Sequence, residues 1–286
     1  MEKKALFDFK SDKCTSCCYR LEHLHFENPT FKKIQVSFLI TMENSQRRDS
    51  YMRELKLFRP TAHVIIVHNK GYKKCFKKDV SKPYHDLWHA NLEIFKMVSD
   101  WKHPILILED DVNFTAHFPD YADEIENFVE QEEVEVYNLG CAPLLSSPIF
   151  NKNHARVFLF GGTHAVIYSY ETRKRLLKEN SISFNTKLLH DQYVSTHCVS
   201  FTHKYPCAVQ TIPVTENQET SWPLISKVYL KMYAFTKPEI DGYVFYCFQH
   251  SALYFGGVVP LFILILCSIF LVCRKQWLRQ RIKSAF

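Results

Sequence analysis

Glycine is scarce, with 7 in 286 residues. No two of them stand at the spacing of G-x-G-x-x-G or G-x-x-x-x-G-K. The two commonest Gly-built phosphate cradles are therefore excluded, and any nucleotide must be held by another device. Acidic residues are absent after Ser251, where Arg274, Lys275, Arg279, Arg281 and Lys283 are the only charges. The net +6 is concentrated there, because the first 250 residues carry 31 basic against 30 acidic side chains. A body that close to neutral lacks the basic face that displaces phosphate counterions, so nucleic acid is excluded as a partner. Residues 1–33 contain no apolar run of seven, and so no recognisable signal peptide.

What is present begins with Ala252–Cys273, 22 residues without a charge. At about 1.5 Å per residue this spans roughly 33 Å, enough to cross a bilayer core as a transmembrane helix. The basic tail behind it predicts a cytoplasmic tail and a lumenal body by the positive-inside rule. The missing signal peptide argues the other way: a C-terminal anchor inserted after translation leaves the body in the cytoplasm. The expectation taken is a single-pass membrane protein with a cytoplasmic body, the lumenal body being the alternative. A glycan on the sequon Asn113-Phe-Thr115 would obstruct the acidic motif beside it. The 10 cysteines follow no paired framework and do not fix the compartment. Cys14, Cys17 and Cys18 with His23 and His25 offer zinc ligands but no second C-x-x-C, so residues 1–33 read as a flexible segment.

The body alternates short β-branched runs with amphipathic stretches. Strands are expected at Ile34–Ile40, His63–His68, Ile105–Leu108, Val134–Leu139 and within Phe158–Tyr168. Helices are expected at Glu43–Leu57, His85–Asp100, Tyr121–Glu132 and Glu171–Glu179. Such alternation predicts an α/β fold with a mainly parallel sheet sandwiched by helices, and ligands at the C-terminal ends of the strands. The organisation read is 34–220 as the catalytic-type domain, 221–251 as a connector, 252–273 as the membrane helix and 274–286 as the tail.

Ile105–Leu108 runs directly into Glu109, Asp110 and Asp111. Three carboxylates closing a buried strand repel one another unless a cation neutralises them, and oxygen donors of this kind suit Mg²⁺ or Mn²⁺ completed by substrate phosphates. An acidic turn capping the next helix would show the same residues.

Around this motif the chain resembles glycosyltransferase family 25, the group of lipooligosaccharide sugar transferases and procollagen galactosyltransferases. The likeness runs in order through FLITMENSQRRDSYM, DLWHANLEIFKMV, ILILEDDVNF, VYNLG, FGGTHAVIYSYETRKRLL, HDQY and YPCAVQ. It implies a GT-A-like fold, Mn²⁺ (or Mg²⁺), a nucleotide-sugar donor, usually UDP-linked, and a glycan, lipid or protein acceptor. Carried onto this sequence, it implies Glu109 and Asp111 as metal ligands, and Asp110 beside the donor ribose or sugar. Arg47 and Arg48 would meet the donor phosphates or pair with other charges, and Asp191 would be a catalytic base or an acceptor ligand. By their own chemistry Gly161 and Gly162 allow close backbone approach, to a ligand or in a tight bend. Asp191 also reads as a cap of the helix beginning at Gln192, and His89, His164 and His190 as hydrogen-bonded core residues. Thr41-Met42-Glu43-Asn44 stands where the family tends to have Asn-Leu-Asp. That departure is the ground for the alternative, a membrane-anchored glycosyltransferase-like interaction protein without activity.

Overall fold

The computed structural model describes residues 18–132, 134–147, 153–179 and 190–210, together with Leu264, Ile265 and Ser268. The chain divides into two compact units, Met1–Tyr246 and Cys247–Phe286. In chain order the elements of the first are β1 (Tyr19–His25), β2 (Val36–Met42), α1 (Arg48–Phe58), β3 (His63–Asn69), α2 (Pro83–Met97), β4 (Ile105–Glu109), β5 (Val112–Phe114), α3 (His117–Gln131) and β6 (Val136–Asn138). They continue as β7 (Ala142–Ser146), β8 (His154–Gly161), β9 (Ala165–Tyr168), α4 (Tyr170–Lys178), α5 (His190–His197), β10 (Ser200–His203) and β11 (Ala208–Gln210).

Nine strands form one sheet in the order β1-β3-β2-β4-β9-β6-β10-β8-β7, and β5 and β11 form a separate pair. The expected mainly parallel sheet is corrected to a mixed one. β3, β2 and β4 are parallel neighbours, but β9 enters antiparallel between β4 and β6, and β1 closes the edge antiparallel to β3.

The central strands read as unbroken apolar runs because both faces are covered. Along β2, Phe38 and Ile40 join one core while Leu39 joins the other. Along β4, Ile105 and Ile107 alternate with Leu106 and Leu108 in the same way. The first core is closed by α2, α4 and α5 through Phe95, Leu176 and Val194. The second is closed by α1 and α3 through Leu55, Phe118 and Ile125. The result is helices on both faces of a sheet.

Two corrections concern the ends of elements. Residues 18–33 are not a flexible leader: β1 pairs along seven registers with β3, and Cys18 is bonded to Cys75 in a disulfide rather than available to zinc. The helix expected from Glu43 starts at Arg48, because residues 43–47 turn to satisfy Asp110, as described below. Of Ala252–Cys273, only Leu264, Ile265 and Ser268 are described, all helical; the rest of the expected span lies outside the described residues, as do Cys14 and Cys17. Among the described residues no helix is long and apolar enough to cross a membrane.

A buried carboxylate locks the segment entering β2. Glu126 of α3 is 2% exposed and accepts from the backbone amides of Lys32, Lys33 and Ile34 at 3.1, 2.7 and 2.8 Å. Replacing it leaves three amides short of a partner, and a buried unsatisfied donor costs about 1–3 kcal/mol. Glu126→Ala is expected to lower the free energy of unfolding by about 2–4 kcal/mol in a denaturant titration, whereas the exposed Asp123→Ala, which loses only the Lys32 pair, should lie within about 0.5 kcal/mol of the parent.

Candidate functional site

The parallel strands β2 and β4 end side by side, with Ile40 opposite Glu109. The turn after β2 folds over the turn after β4 because Asp110 draws it in. One oxygen of Asp110 accepts from the Thr41 and Ser45 hydroxyls, both at 2.7 Å, and the other takes Arg47 at 2.6 Å. The Arg47 guanidinium also stands 3.7 Å from Asp111. Asp110 is thus the carboxylate that organises the turn, and Arg47 is the cation lodged between two of the three acids.

The other two acids are less well compensated. Glu109 accepts from the Thr163 hydroxyl at 2.7 Å, and Asp111 from the Gln210 amide at 2.8 Å. Removal from water, then repulsion from Asp111, pushes the Glu109 carboxyl up to about 8. Removal from water pushes Asp111 up to about 6, against the pull of Gln210 and Arg47. Both shifts come first from removal from water, and the neighbouring carboxylates add to them.

The segment Gly162–His164, between β8 and β9, joins this turn to α5. His164 O accepts from the Glu109 amide at 2.9 Å, and Gly162 donates its amide to Asp191 at 3.1 Å. Gly162 has φ +84, a left-handed conformation that a side chain resists. The second oxygen of Asp191 accepts from the Gln192 amide at 2.8 Å; the helix expected to begin at Gln192 already includes His190 and Asp191, so Asp191 is a residue of its first turn rather than its cap. Burial raises the Asp191 carboxyl above its usual range. Beneath it, His190 packs on Trp88 with ring centroids 4.6 Å apart and is pulled down to about 3 by burial, a neutral core imidazole.

Of the residues singled out from sequence, Glu109, Asp110, Asp111, Arg47, Gly162 and Asp191 share this neighbourhood. Arg48 does not: it pairs with Glu22 at 2.7 Å, and that pairing with the His68 contact holds Glu22 down to about 2. Gly161 ends β8 opposite Ala142 and is a sheet residue. His89 accepts or donates at 2.8 Å with Tyr19, in another part of the core.

Sequence reasoning missed Thr41, Ser45, Thr163 and Gln210, polar side chains whose roles depend on contacts 54 to 99 residues away. It also missed Gly140, where a Cβ would lie 1.7 Å from the Ala208 carbonyl oxygen. That close approach sets β11 beside the end of β6 and so delivers Gln210 to Asp111.

Among the described residues no group of three or more His, Cys, Asp or Glu side chains converges as a metal cage. Two oxygen donors, Glu109 and Asp111, fit a hard divalent cation that takes its remaining ligands from a phosphate and water.

The sequence matches no protein-family model and no curated relative. Among solved structures it is similar to the crystal structure of a glycosyltransferase involved in the glycosylation of the major capsid of PBCV-1. The identity is 12%, over 59% of this chain and 94% of that one, with a TM-score of 0.31. A likeness that slight carries no conclusion about activity. The chain is a mixed α/β protein with an acidic cluster at the end of β4, beside the end of its parallel neighbour β2.

Both raised carboxyls titrate higher in the folded chain than their ordinary values of 4.5 and 3.8. Between about pH 4 and pH 8 the folded form therefore holds more protons, and stability falls as pH rises through that window. In EDTA, the melting temperature should drop on going from pH 5 to pH 8, and the drop should shrink in Glu109→Gln combined with Asp111→Asn. Added Mn²⁺ should raise the melting temperature more at pH 8 than at pH 5. A flat profile shared by parent and variant would count against the raised carboxyls.

Proposed function

We propose that the chain is a metal-dependent glycosyltransferase that moves a sugar from a nucleotide donor, UDP-linked by the family resemblance, to a hydroxyl acceptor on a glycan, lipid or protein. The observation that carries this reading is the clustering of Glu109 and Asp111 at the end of β4 beside the turn after β2, with a cation, Arg47, against Asp111 and another buried carboxylate, Asp191, nearby. Hexosyl transfer of the family 25 type is the finer form of the same proposal and rests on the ordered sequence resemblance.

Glu109 and Asp111 would hold Mn²⁺ or Mg²⁺, which supplies positive charge to a leaving diphosphate. Arg47, fixed by Asp110, adds a second positive group beside it and is preorganised, so no reorientation is needed as charge develops. Asp110 orients Arg47 and the Thr41–Ser45 turn rather than meeting the metal. Asp191 is the candidate base: each oxygen takes one backbone amide and retains acceptor capacity, and its raised carboxyl binds a proton more readily than an exposed Asp. Gly162 holds it in place.

A second reading, an inactive membrane-anchored interaction protein of the same fold, is favoured by two observations. Arg47 already sits against Asp111, and no third acid, Cys or His converges among the described residues. The two readings separate on turnover. Full-length chain in detergent, given a panel of nucleotide sugars with Mn²⁺ or EDTA, should release nucleoside diphosphate only with metal. Asp111→Ala should lose at least about 10²-fold, and Asp191→Asn about 10²–10⁴-fold in kcat. No donor bound by a folded chain would select the inactive reading.

Localisation is part of the proposal. A disulfide between Cys18 and Cys75, with Cα atoms 5.5 Å apart, belongs to an oxidising compartment, and the basic tail after Ala252–Cys273 belongs on the cytoplasmic side. Together they favour the lumenal body over the cytoplasmic one. In intact cells Cys18 and Cys75 should resist alkylation until reductant is added, and the body should resist external protease in sealed microsomes. Alkylation without reductant would return the body to the cytoplasm.

A further inference from the structure

Residues 70–86 hold six lysines against Asp79 and Asp86, while the other 233 of the first 250 residues carry 25 basic and 28 acidic side chains. The positive charge of the body is therefore gathered in the connection between β3 and α2. Within it Phe76 is 80% exposed, more than any other large hydrophobic side chain among the described residues. A single exposed Phe is ordinary, but this one is held outward by its neighbours.

Cys75 is fixed by the disulfide to Cys18. Lys77 is buried, paired with Asp86, donating to the Asn69 side chain at 2.6 Å and lying 4.5 Å from the Tyr19 ring centroid. Upstream, the amides of Lys74 and Cys75 return to the Gly71 carbonyl at 3.1 and 3.0 Å, and Tyr72 donates its amide to Asp86 at 3.1 Å. The backbone on both sides of Phe76 is therefore set, and Lys73, Lys74 and Lys78, two and three residues before it and two after, are exposed.

An exposed apolar side chain with exposed lysines before and after it in the chain has the chemistry of a bilayer interface: the ring enters the acyl boundary while the lysine stems lie along it and their heads meet the lipid phosphates that either leaflet carries. An acidic protein groove would take the lysines without requiring a rigid aromatic between them. The uncharged Ala252–Cys273 segment gives the body a reason to work beside a bilayer. We propose that the connection 71–82 rests on the membrane surface through Phe76 and its three lysines, as a contact separate from the C-terminal segment and independent of the chemistry at Glu109.

The test uses the full-length chain reconstituted in phosphatidylcholine vesicles with and without phosphatidylserine, each containing brominated lipid as the quencher. Phe76→Trp is compared with Leu57→Trp, which places the reporter on α1 at a residue 65% exposed, after subtraction of the parent signal. The Phe76 reporter should be quenched at least twofold more than the Leu57 reporter, and more with phosphatidylserine present. Converting Lys73, Lys74 and Lys78 to Glu in the Phe76→Trp background should bring it down to the Leu57 level. Equal quenching of the two reporters, or quenching untouched by the three Glu substitutions, overturns the proposal.

Discussion

The site depends on one constraint: carboxylates placed where water is thin must each find a compensating group. Asp110 finds three donors and becomes structural. Through Thr41, Ser45 and Arg47 it decides the path of the chain between β2 and α1, and so where α1 begins. Glu109 meets Thr163, and Asp111 meets Gln210 with Arg47 close by, and removal from water raises both carboxyls all the same. Adjacent acids in one tripeptide thus divide into an organiser, Asp110, and two carboxyls that burial raises.

The same logic spreads outward. Thr163 serves Glu109 and Gln210 serves Asp111, and each lies beside a backbone arrangement that favours glycine. Gly162 takes its left-handed φ and gives its amide to Asp191. Gly140 lets the Ala208 carbonyl approach to where a side chain would stand. A chain with few glycines has placed two of them on the routes by which distant polar groups reach the acids.

The central strands and the first four helices were legible in the sequence because a sheet covered on both faces imposes continuous apolar runs, and β2, β3 and β4 have them; β1, β5, β7, β10 and β11, shorter or more polar, were not expected. The sense of the strands was not legible, since the alternation of apolar residues is the same in parallel and antiparallel pairing; β9 therefore turned a mainly parallel expectation into a mixed sheet. The beginning of α1 was misplaced because helical spacing in Glu43–Leu57 says nothing of a carboxylate 65 residues on that captures Ser45. Of the site, the ionisable members were readable, being few in type and clustered at a strand end. Its hydroxyl and amide partners were not, because Thr, Ser and Gln look alike on a surface and in a cluster. Arg48 shows the converse: adjacent to Arg47 in sequence, it points to Glu22 and β1.

The Cys18–Cys75 bond has a consequence for how the chain finds this arrangement. It spans 57 residues that include β1, β2, α1 and β3. Closing a loop of that size removes about 4 kcal/mol of conformational freedom from the unfolded chain in the chain-entropy account. Pairing of β2 with β3 across an intervening helix is a slow, non-local step. Once oxidised, the unfolded ensemble begins that search with the two ends of the β1–β3 segment already joined.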